Sequence, residues 1–456
     1  MEEMDRDRLL AQALAERCAS LGGRAYYVGG CVRDEFLGIE SKDVDVEVHG
    51  LSPEQLEAVL DQLGSFITVG RSFGVYSIRG FGLDIAMPRK ERAVGRGHRD
   101  FTVNVDPFIG PEKAALRRDF TVNAMMKDVL TGDLTDPFGG RTDLENRILR
   151  CVSAETFPED PLRVLRAAQM AARFGMSVEP ETEELCRSIP LDALSPERVM
   201  EELKKALLKA PKPSVFFRVL RSVDALDRWF PEVRDLIGVP QRADRHREGD
   251  VWEHTLMVLD EAAAFRGSTE DDLALMLAAL THDMGKPCCS RTEDGIVHAY
   301  GHEKAGLAPA KEFLTRLTSE KHLIRLVLNL TELHMKPNAE AEANVPVKTT
   351  NRMFDRCLAP EALLALAAAD DRGRITDGPL TDHEPFLRER LEIYRTVMND
   401  PYVKGEDLIR AGLTPGPAFT EALAYAHRLR LAGIGREDAL RQTLGHIGAG
   451  NRKEDS

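Results

Sequence analysis

Two neighbouring stretches near the start of the chain decide its fold: AYYVGGCVRD at residues 25–34 and KDVDVEV at residues 42–48. The first contains a short apolar and aromatic run, a Gly29-Gly30 turn and the beginning of a helix. The second alternates acidic residues with valine, so its acidic side chains share one face of a strand. Further short, glycine-punctuated runs follow up to about residue 145. Together they predict a small mixed α/β head domain.

The acidic face of the second stretch carries Asp43, Asp45 and Glu47. A half-buried strand with a solvated face would account for this pattern on its own. The adjacent glycine turn changes the interpretation, because glycine lets the backbone approach a phosphate and a helix N-terminus favours an anion. Mg²⁺ prefers one or two carboxylates together with phosphate oxygens, and paired ions stabilise phosphoryl displacement. We therefore expect a nucleotide-phosphate site, with Asp84 as a third carboxylate from a neighbouring strand.

After Cys151 the sequence changes to long amphipathic helical patterns, and almost no strand pattern follows. Residues 246–383 contain eight of the twelve histidines, and a Gly/Pro break at residues 401–419 precedes a helical tail. The remainder of the chain is therefore predicted to be all-α.

Five motifs in the first 167 residues occur in a fixed order. They are GGCVRD (29–34), DVD (43–45), ALRRDFTVNAM (115–125), TDPFGGRTDL (135–144) and EDPLRVLRA (159–167). In this order they resemble the bacterial tRNA CCA-adding enzymes and poly(A) polymerases. The resemblance implies a multidomain α+β protein: a small polymerase-β-like nucleotidyltransferase head followed by an all-α neck, HD body and tail.

The resemblance also implies an activity, the template-free addition of CMP and AMP to a tRNA 3′ end. It implies that Asp43 and Asp45 bind Mg²⁺ in catalysis, and we add Asp84 as a third catalytic carboxylate on the strand argument above. The residues implied to bind the nucleotide phosphates are Gly29, Gly30, Arg33 and Arg118. Gln169 departs from the family, because many members carry an arginine there, three residues after Arg166.

The EDPLR segment has a physical interpretation of its own. Asp160 and Arg163 are three residues apart, which predicts neighbours on one helix face. They could form a surface ion pair worth a few tenths of a kcal/mol. Alternatively, a carboxylate accepting from an amino group and a guanidinium donating to a ring nitrogen would select cytosine and adenine over uracil and guanine. We prefer the second interpretation, and we include Arg166 among the nucleotide-binding residues.

An ordered series of histidine and aspartate residues runs through the helical half. Taken singly, each histidine would be interpreted as an ordinary surface or core residue. Taken together, mixed His/Asp donors suit borderline divalent transition metals. The series resembles the HD phosphohydrolase superfamily. The implied ligands are His254, His282, Asp283 and Asp370, with His302 and His334 for a second ion. Asp370 is preferred over Asp371 from its spacing to Gly373, and Lys286 could contact a phosphate.

For this second site the resemblance implies Ni²⁺, Co²⁺ or Mn²⁺ as the metal. It also implies 2′,3′-cyclic phosphodiesterase, 2′-nucleotidase or phosphatase activity. Bound metal would activate water for attack on a phosphoester.

Composition limits the remaining possibilities. The chain has 456 residues and seven cysteines without a CxxC pair, which favours reduced thiols in the cytoplasm. No apolar run approaches the ~18 residues of a membrane span, and the acidic start is unlike a secretory signal.

The net charge of −14, taken over the whole chain, disfavours a nucleic-acid partner. The charge of individual segments gives a different result. Residues 89–118 carry eight Lys/Arg against four acids, and residues 196–221 carry seven against three. These basic segments could contact tRNA phosphates.

We predict four domains: a catalytic head (1–150), a helical neck for nucleotide and RNA binding (151–235), an HD phosphohydrolase domain (236–400) and a tRNA-binding tail (401–456). The expected partners are the tRNA 3′ end, ATP and CTP, with no membrane and no obligate protein partner. Two alternatives remain open on the same head: a poly(A) polymerase, or an enzyme adding only CC or only A. A third, of another class, is an HD nucleotide hydrolase whose head binds RNA without catalysis.

Overall fold

The computed structural model describes residues 2–41, 44–68, 74–93, 101–400 and 402–454. The chain forms two compact units, one of Met1–Ala210 with Val215–Arg228 and one of Pro211–Ser214 with Trp229–Ser456. Within the described ranges, no helix is both long and apolar enough to cross a membrane. The division into four domains stays a prediction.

The strands are β1 (Arg24–Val28), β2 (Val44–His49), β3 (Phe66–Thr68), β4 (Val75–Ile78), β5 (Leu83–Ala86), β6 (Arg89–Ala93), β7 (Phe101–Val105), β8 (Met126–Asp128), β9 (Leu134–Thr135), β10 (Ile148–Leu149), β11 (Ser177–Val178), β12 (Arg291–Glu293) and β13 (Ile296–His298).

The helices up to residue 222 are α1 (Glu2–Ser20), α2 (Gly30–Phe36), α3 (Pro53–Leu63), α4 (Pro111–Ala115), α5 (Gly140–Glu145), α6 (Leu162–Phe174), α7 (Pro180–Arg187), α8 (Pro196–Lys209) and α9 (Ser214–Ser222). The later helices are α10 (Pro231–Arg234), α11 (Val251–Ala262), α12 (Asp272–Thr281), α13 (Lys286–Cys289), α14 (His302–Ala305), α15 (Leu307–Leu317), α16 (Lys321–Leu333), α17 (Lys336–Glu342), α18 (Val347–Arg356), α19 (Pro360–Arg372), α20 (Glu384–Asn399), α21 (Gly405–Arg410), α22 (Pro417–Leu431) and α23 (Arg436–Glu454).

A mixed sheet organises the first unit. Among the described residues, seven strands pair in the order β3-β4-β5-β2-β1-β8-β9. β2 and β5 run parallel, whereas β1 pairs antiparallel with both β2 and β8. Alternation along β2 separates the two faces as predicted: its valines are buried in a core with α1 and α3. Asp45 and Glu47 lie on the other face, where Tyr26 packs against Ala114 of α4.

The second unit is built around α12, which is apolar on every side. Its residues from Ala274 to Thr281 are all buried, and it packs against α11, α16 and α19. The Asp271 carboxylate accepts a hydrogen bond from the Ala274 N–H at 2.9 Å, which satisfies one of the free N–H groups at the helix start. The packing brings the ends of several helices to one place.

The predicted fold class, a mixed α/β head followed by helical domains, is confirmed. The structure adds a parallel pairing of β10, at the end of the predicted head, with β11, and a hairpin of β12 with β13 within the helical part. Strands of two or three residues are too short to leave an alternation pattern, which is why the sequence did not indicate them.

Candidate functional sites

The paired carboxylates of the head come from two parallel strands. Asp45 of β2 is half-buried and lies opposite Asp84 of β5, which is exposed. Because neighbouring residues in register point to the same side of a sheet, both carboxylates leave the same face. Asp43, the other predicted Mg²⁺ ligand, lies outside the described residues. The structure therefore brings together two of the three predicted carboxylates, and the pair offers the oxygen donors that Mg²⁺ prefers.

The glycine turn lies beside this pair. Gly29 has a φ of 73°, a backbone conformation that favours glycine. A Cβ atom at Gly29 would lie 3.0 Å from Arg118 Nη1 and 3.8 Å from Asp45 Oδ2. The turn is thus in close contact with one predicted phosphate-binding residue and one carboxylate. Gly30 begins α2, so the N-terminus of this helix opens at the same place.

Glu47 has a role that alternation did not reveal. It is completely buried instead of facing solvent, and its Oε2 lies 2.7 Å from Arg117 Nη2 and 3.4 Å from Arg118 Nη2. Burial alone would raise its pKa, but the hydrogen bond from His49 and the charges of both arginines lower the pKa well below its usual range. Glu47 therefore stays ionised and anchors Arg118 beside Asp45.

Arg33 is buried in a network of its own. Its Nη1 donates to Asn123 Oδ1 at 2.6 Å, and its Nε donates to Asp34 Oδ1 at 2.8 Å. Its guanidinium also stacks 4.3 Å from the centre of the Phe174 ring. Burial lowers the pKa of Arg33 despite the neighbouring Asp34 charge. The contacts hold the Arg33 guanidinium within α2, close to Gly30 at the start of the helix.

The structure corrects the predicted geometry of Asp160 and Arg163. Asp160 has an extended backbone and precedes α6, so the two residues do not share a helix face. The reason is Pro161, because a residue before proline avoids the helical conformation. Asp160 Oδ2 accepts from Arg198 Nη2 at 2.8 Å, while Arg163 Nη1 donates to the Thr156 carbonyl at 2.7 Å.

Arg166 is fixed by a neighbour that follows Arg118 in the chain. Asp119 Oδ2 accepts from Arg166 Nε at 2.7 Å, and Asp119 also accepts from the Asn123 side chain. Burial would raise the pKa of Asp119, but the charge of Arg166 and the hydrogen bonds lower it. One turn further on, the Gln169 side-chain nitrogen is buried and finds no hydrogen-bond partner in the described part of the chain.

The six predicted HD residues converge in the second unit, and all six are buried. His254 Nε2 lies 3.1 Å from Asp370 Oδ1 and 3.7 Å from Asp283 Oδ2. Asp283 joins the two halves of the cluster, since His282 Nε2 lies 3.2 Å from its Oδ2 and His302 Nε2 lies 3.2 Å from its Oδ1. His334 Nε2 is 3.2 Å from His302 Nε2. The donors thus form two groups, His254/His282/Asp370 and Asp283/His302/His334.

Main-chain carbonyls orient three of these rings. The Nδ1 atoms of His282, His302 and His334 lie 2.7–2.8 Å from the carbonyl oxygens of the residues three positions earlier. Each Nδ1 must therefore carry a proton, so Nε2 is the nitrogen of each ring that is directed into the cluster. His282 Nε2 is buried and makes no hydrogen bond with the described residues. A divalent ion fits this donor set, because imidazole nitrogens and carboxylate oxygens converge there within coordination range of one another.

Electrostatics divide the cluster into charged and neutral groups. Burial opposes ionisation of Asp283, but His282 and Lys286 hold its pKa well below the usual range. Burial likewise lowers the pKa of His254 and His302, yet their carboxylate partners raise both pKa values overall. Burial and the charge of His282 lower the pKa of His334 to about 3. The cluster therefore contains ionised carboxylates, which are strong metal ligands, and one imidazole, that of His334, which is neutral near pH 7.

The sequence reasoning missed two residues beside this site, His246 and Glu248. Glu248 Oε1 lies 2.8 Å from His246 Nδ1 and 3.1 Å from His254 Nδ1, and the Glu248 side chain is almost fully buried. The only sequence signal was a His-x-Glu spacing just before α11, which resembles any solvated turn. Lys286, predicted to contact phosphate, lies 2.6 Å from Asp283 Oδ2 and donates to Gln241.

A cavity of about 420 Å³ adjoins the cluster. Its walls include two cluster residues, His334 and Asp370, together with Arg374, which is ion-paired with Asp370. Asn338 and Thr381 add polar groups further out. The volume lies within the range of about 300–1,000 Å³ that is typical of small-molecule sites.

Three known families match successive parts of the chain. Residues 25–150 match the "Poly A polymerase head domain" and residues 251–371 match the "HD domain". Residues 175–237 match the family described as "Probable RNA and SrmB- binding site of polymerase A".

Relatives and solved structures extend these matches over nearly the whole chain. A relative from Xanthomonas campestris pv. campestris (strain B100), named "Multifunctional CCA protein", is 37% identical over 432 residues, covering 92% of this chain and 100% of the relative. A Thermotoga maritima CCA-adding enzyme complexed with tRNA is 21% identical with a TM-score of 0.63, covering 97% of this chain and 95% of that one. A Bacillus stearothermophilus CCA-adding enzyme in complex with CTP is 21% identical with the same TM-score, covering 98% of both chains. These two structures support the fold.

Proposed function

The chain belongs to the multifunctional CCA protein family, and we propose that it adds and repairs the 3′-terminal CCA of tRNA from CTP and ATP. The observation that supports this most directly is the pairing of Asp45 with Asp84 beside the Gly29 turn and Arg118. Carboxylates next to a phosphate-binding turn are what nucleotidyl transfer to an RNA 3′ end requires.

In this proposal Asp45 and Asp84, with Asp43, hold Mg²⁺ in the head. When bound, the metal would stabilise the negative charge that develops on the transferred phosphate. Gly29 and Gly30 give the triphosphate access to the backbone and to the N-terminus of α2. Arg118, held by Glu47, binds the phosphates directly, and Arg33 secures the turn through Asp34 and Asn123.

We assign base selection to Asp160 and Arg163, with Arg166 beside them. Asp160 accepts from Arg198, which directs its carboxylate, and Arg163 is held by main-chain carbonyls on two sides. A fixed acceptor and a fixed donor match the amino group and ring nitrogen of cytosine and adenine. Uracil and guanine would leave these groups unpaired, which makes their rejection strong.

For the second unit we propose a metal-dependent phosphohydrolase acting on 2′,3′-cyclic phosphodiesters, 2′-nucleotides or related phosphomonoesters. His254, His282, Asp283 and Asp370 would hold one divalent ion, and His302 and His334 with Asp283 would hold a second, with Ni²⁺, Co²⁺ or Mn²⁺ as the expected metals. Arg374 and Lys286 would bind substrate phosphate. The cavity beside the cluster has room for a single nucleotide.

The deciding experiment incubates tRNA lacking its CCA end with CTP, ATP and Mg²⁺ and reads product lengths on a denaturing gel. The proposal expects three added nucleotides and then arrest. Long tails made from ATP alone would indicate a poly(A) polymerase, and arrest after two additions a CC-adding enzyme. No extension by the wild type, with phosphohydrolase activity intact, would favour the HD hydrolase with an RNA-binding head.

We expect the enzyme to work in the cytoplasm together with its tRNA substrate. Its seven cysteines are all free thiols, as expected in a reducing compartment.

A further inference from the structure

The histidine–glutamate group next to the metal ligands suggests an additional role in the second unit. Glu248 lies close to three nitrogen atoms: its Oε1 is hydrogen-bonded to His246 Nδ1 at 2.8 Å and lies 3.1 Å from His254 Nδ1, and its Oε2 accepts from the N–H of Ile375 at 2.9 Å. A carboxylate can only accept hydrogen bonds, so His246 Nδ1 must carry a proton, and a proton on His254 Nδ1 would lie against the same carboxylate oxygen. The consequence for His254 concerns Nε2, the atom that faces Asp370 and Asp283: when a metal ion displaces the proton there, Glu248 favours keeping the remaining proton on Nδ1.

This arrangement differs from that of the other three histidines. Main-chain carbonyls orient His282, His302 and His334, whereas His254 is oriented by a side chain. The group could instead be a separate metal site. His254 would then have to bind one ion through Nδ1 and another through Nε2, which requires the loss of both ring protons. An imidazole that donates to a carboxylate through one nitrogen and ligates through the other needs no such step.

Glu248 also contacts the segment that carries Arg374. Its Oε2 accepts from the Ile375 N–H, and the Arg247 N–H donates to the Ile375 carbonyl at 2.9 Å, so residues 247–248 clamp the backbone at 375. Arg374, the preceding residue, pairs with Asp370 and lines the cavity. One oxygen of Glu248 thus supports a metal ligand and the other supports a cation of the substrate cavity.

We propose that Glu248 is a positioning residue of the HD site, which sets the tautomer of His254 for metal binding and holds Arg374 against the substrate phosphate, with His246 as its anchor. The inference rests on the proposed metal-dependent function of this site. Replacement of Glu248 should therefore weaken metal binding and also raise the KM for a phosphodiester. A residue that only supports folding would not change both.

The test uses the full chain stripped of metal. Ni²⁺ is titrated in competition with a chromogenic chelator into the wild type, Glu248→Gln, Glu248→Ala and the control Glu261→Gln, whose site of substitution lies in the last turn of α11. Loss of such a supporting group typically weakens metal binding by about 10–100-fold. We expect Glu248→Ala near the upper end. We expect Glu248→Gln near the lower end. Its amide oxygen keeps one acceptor, and only the NH₂ group, which would face another donor, loses an interaction. The control should match the wild type.

Three further readouts decide the interpretation. Thermal unfolding of the metal-free Glu248→Gln chain shows whether it is folded, and the visible spectrum of bound Co²⁺ should change with the coordination of His254. With saturating Ni²⁺ and 2′,3′-cyclic AMP, KM should rise several-fold more than kcat falls.

Unchanged nickel affinity in both variants would overturn the proposal. The loss of one bound ion per chain, with the affinity for the remaining ions unchanged, would also overturn it, because it would indicate a separate metal site. Absence of nickel binding by the wild type would overturn it too. If the wild type and variants differ in nickel affinity as expected but no substrate is hydrolysed, the positioning role at the metal stands and the proposed phosphohydrolase function fails.

Discussion

Asp45 and Asp84 lie directly opposite each other in the parallel pairing of β2 with β5, so two carboxylates enter the head site from adjacent strands. Replacing Asp45 with Asn should reduce CCA addition at least about a hundredfold, because metal-mediated charge stabilisation is worth several kcal/mol. Asp84→Asn should reduce it in the same direction. The measurement is single-turnover incorporation of CMP into tRNA lacking its CCA end.

The exposed Asp133 offers a matched control for these variants in the same unit. Asp133→Asn should retain full CMP incorporation. The HD phosphohydrolase activity of Asp45→Asn should also equal that of the wild type. Normal CMP incorporation by Asp45→Asn would exclude it as a metal ligand.

Base selection should depend on Asp160. An Asp160→Ala chain should lose much of the preference for CTP and ATP over UTP and GTP, because the acceptor for the exocyclic amino group is removed. Incorporation of each of the four nucleotides, measured separately as kcat/KM, checks this. Arg198→Ala should reduce the preference less, since it removes only the partner that directs Asp160. An Asp160→Ala chain that still excludes UTP and GTP would contradict the assignment.

The pair of Asp119 and Arg166 should contribute strongly to stability. Asp119→Ala leaves the Arg166 guanidinium, the Asn123 amide and the Phe120 N–H without their acceptor. We expect the free energy of unfolding of the first unit to fall by about 3 kcal/mol, as measured by urea denaturation. Asp133→Ala, at an exposed position, should change the stability by about 0.5 kcal/mol or less. Equal effects of the two substitutions would show that the buried pair adds nothing.

Nickel binding to the second unit should strengthen as pH rises above 6.5. His254 and His302 have pKa values raised above the usual 6.5, so they retain protons near neutrality that a metal ion must displace. His334, with its pKa lowered to about 3, contributes no such proton. Calorimetry in buffers of different ionisation enthalpy should detect proton release that declines towards higher pH. An affinity independent of pH between about 6 and 8 would contradict the raised values.

Local patterns indicated which side chains come together better than they indicated the contacts that those side chains make. Alternation correctly separated the two faces of β2, but the burial of Glu47 depends on arginines that lie 70 and 71 residues later in the chain. The spacing of Asp160 and Arg163 indicated a shared helix face, although Pro161 was visible and excludes it. The importance of Glu248 depends on Ile375, which is 127 residues away, and no local spacing could indicate it.

The rings of His282 and His334 hydrogen-bond to carbonyls in the last turns of α12 and α16, carbonyls that a helix end would otherwise leave to water. The same bonds that finish these helices also aim the donor atoms. Formation of α12 and α16 therefore orients these two rings before any metal ion binds. Metal binding should accordingly need little rearrangement of these two helices.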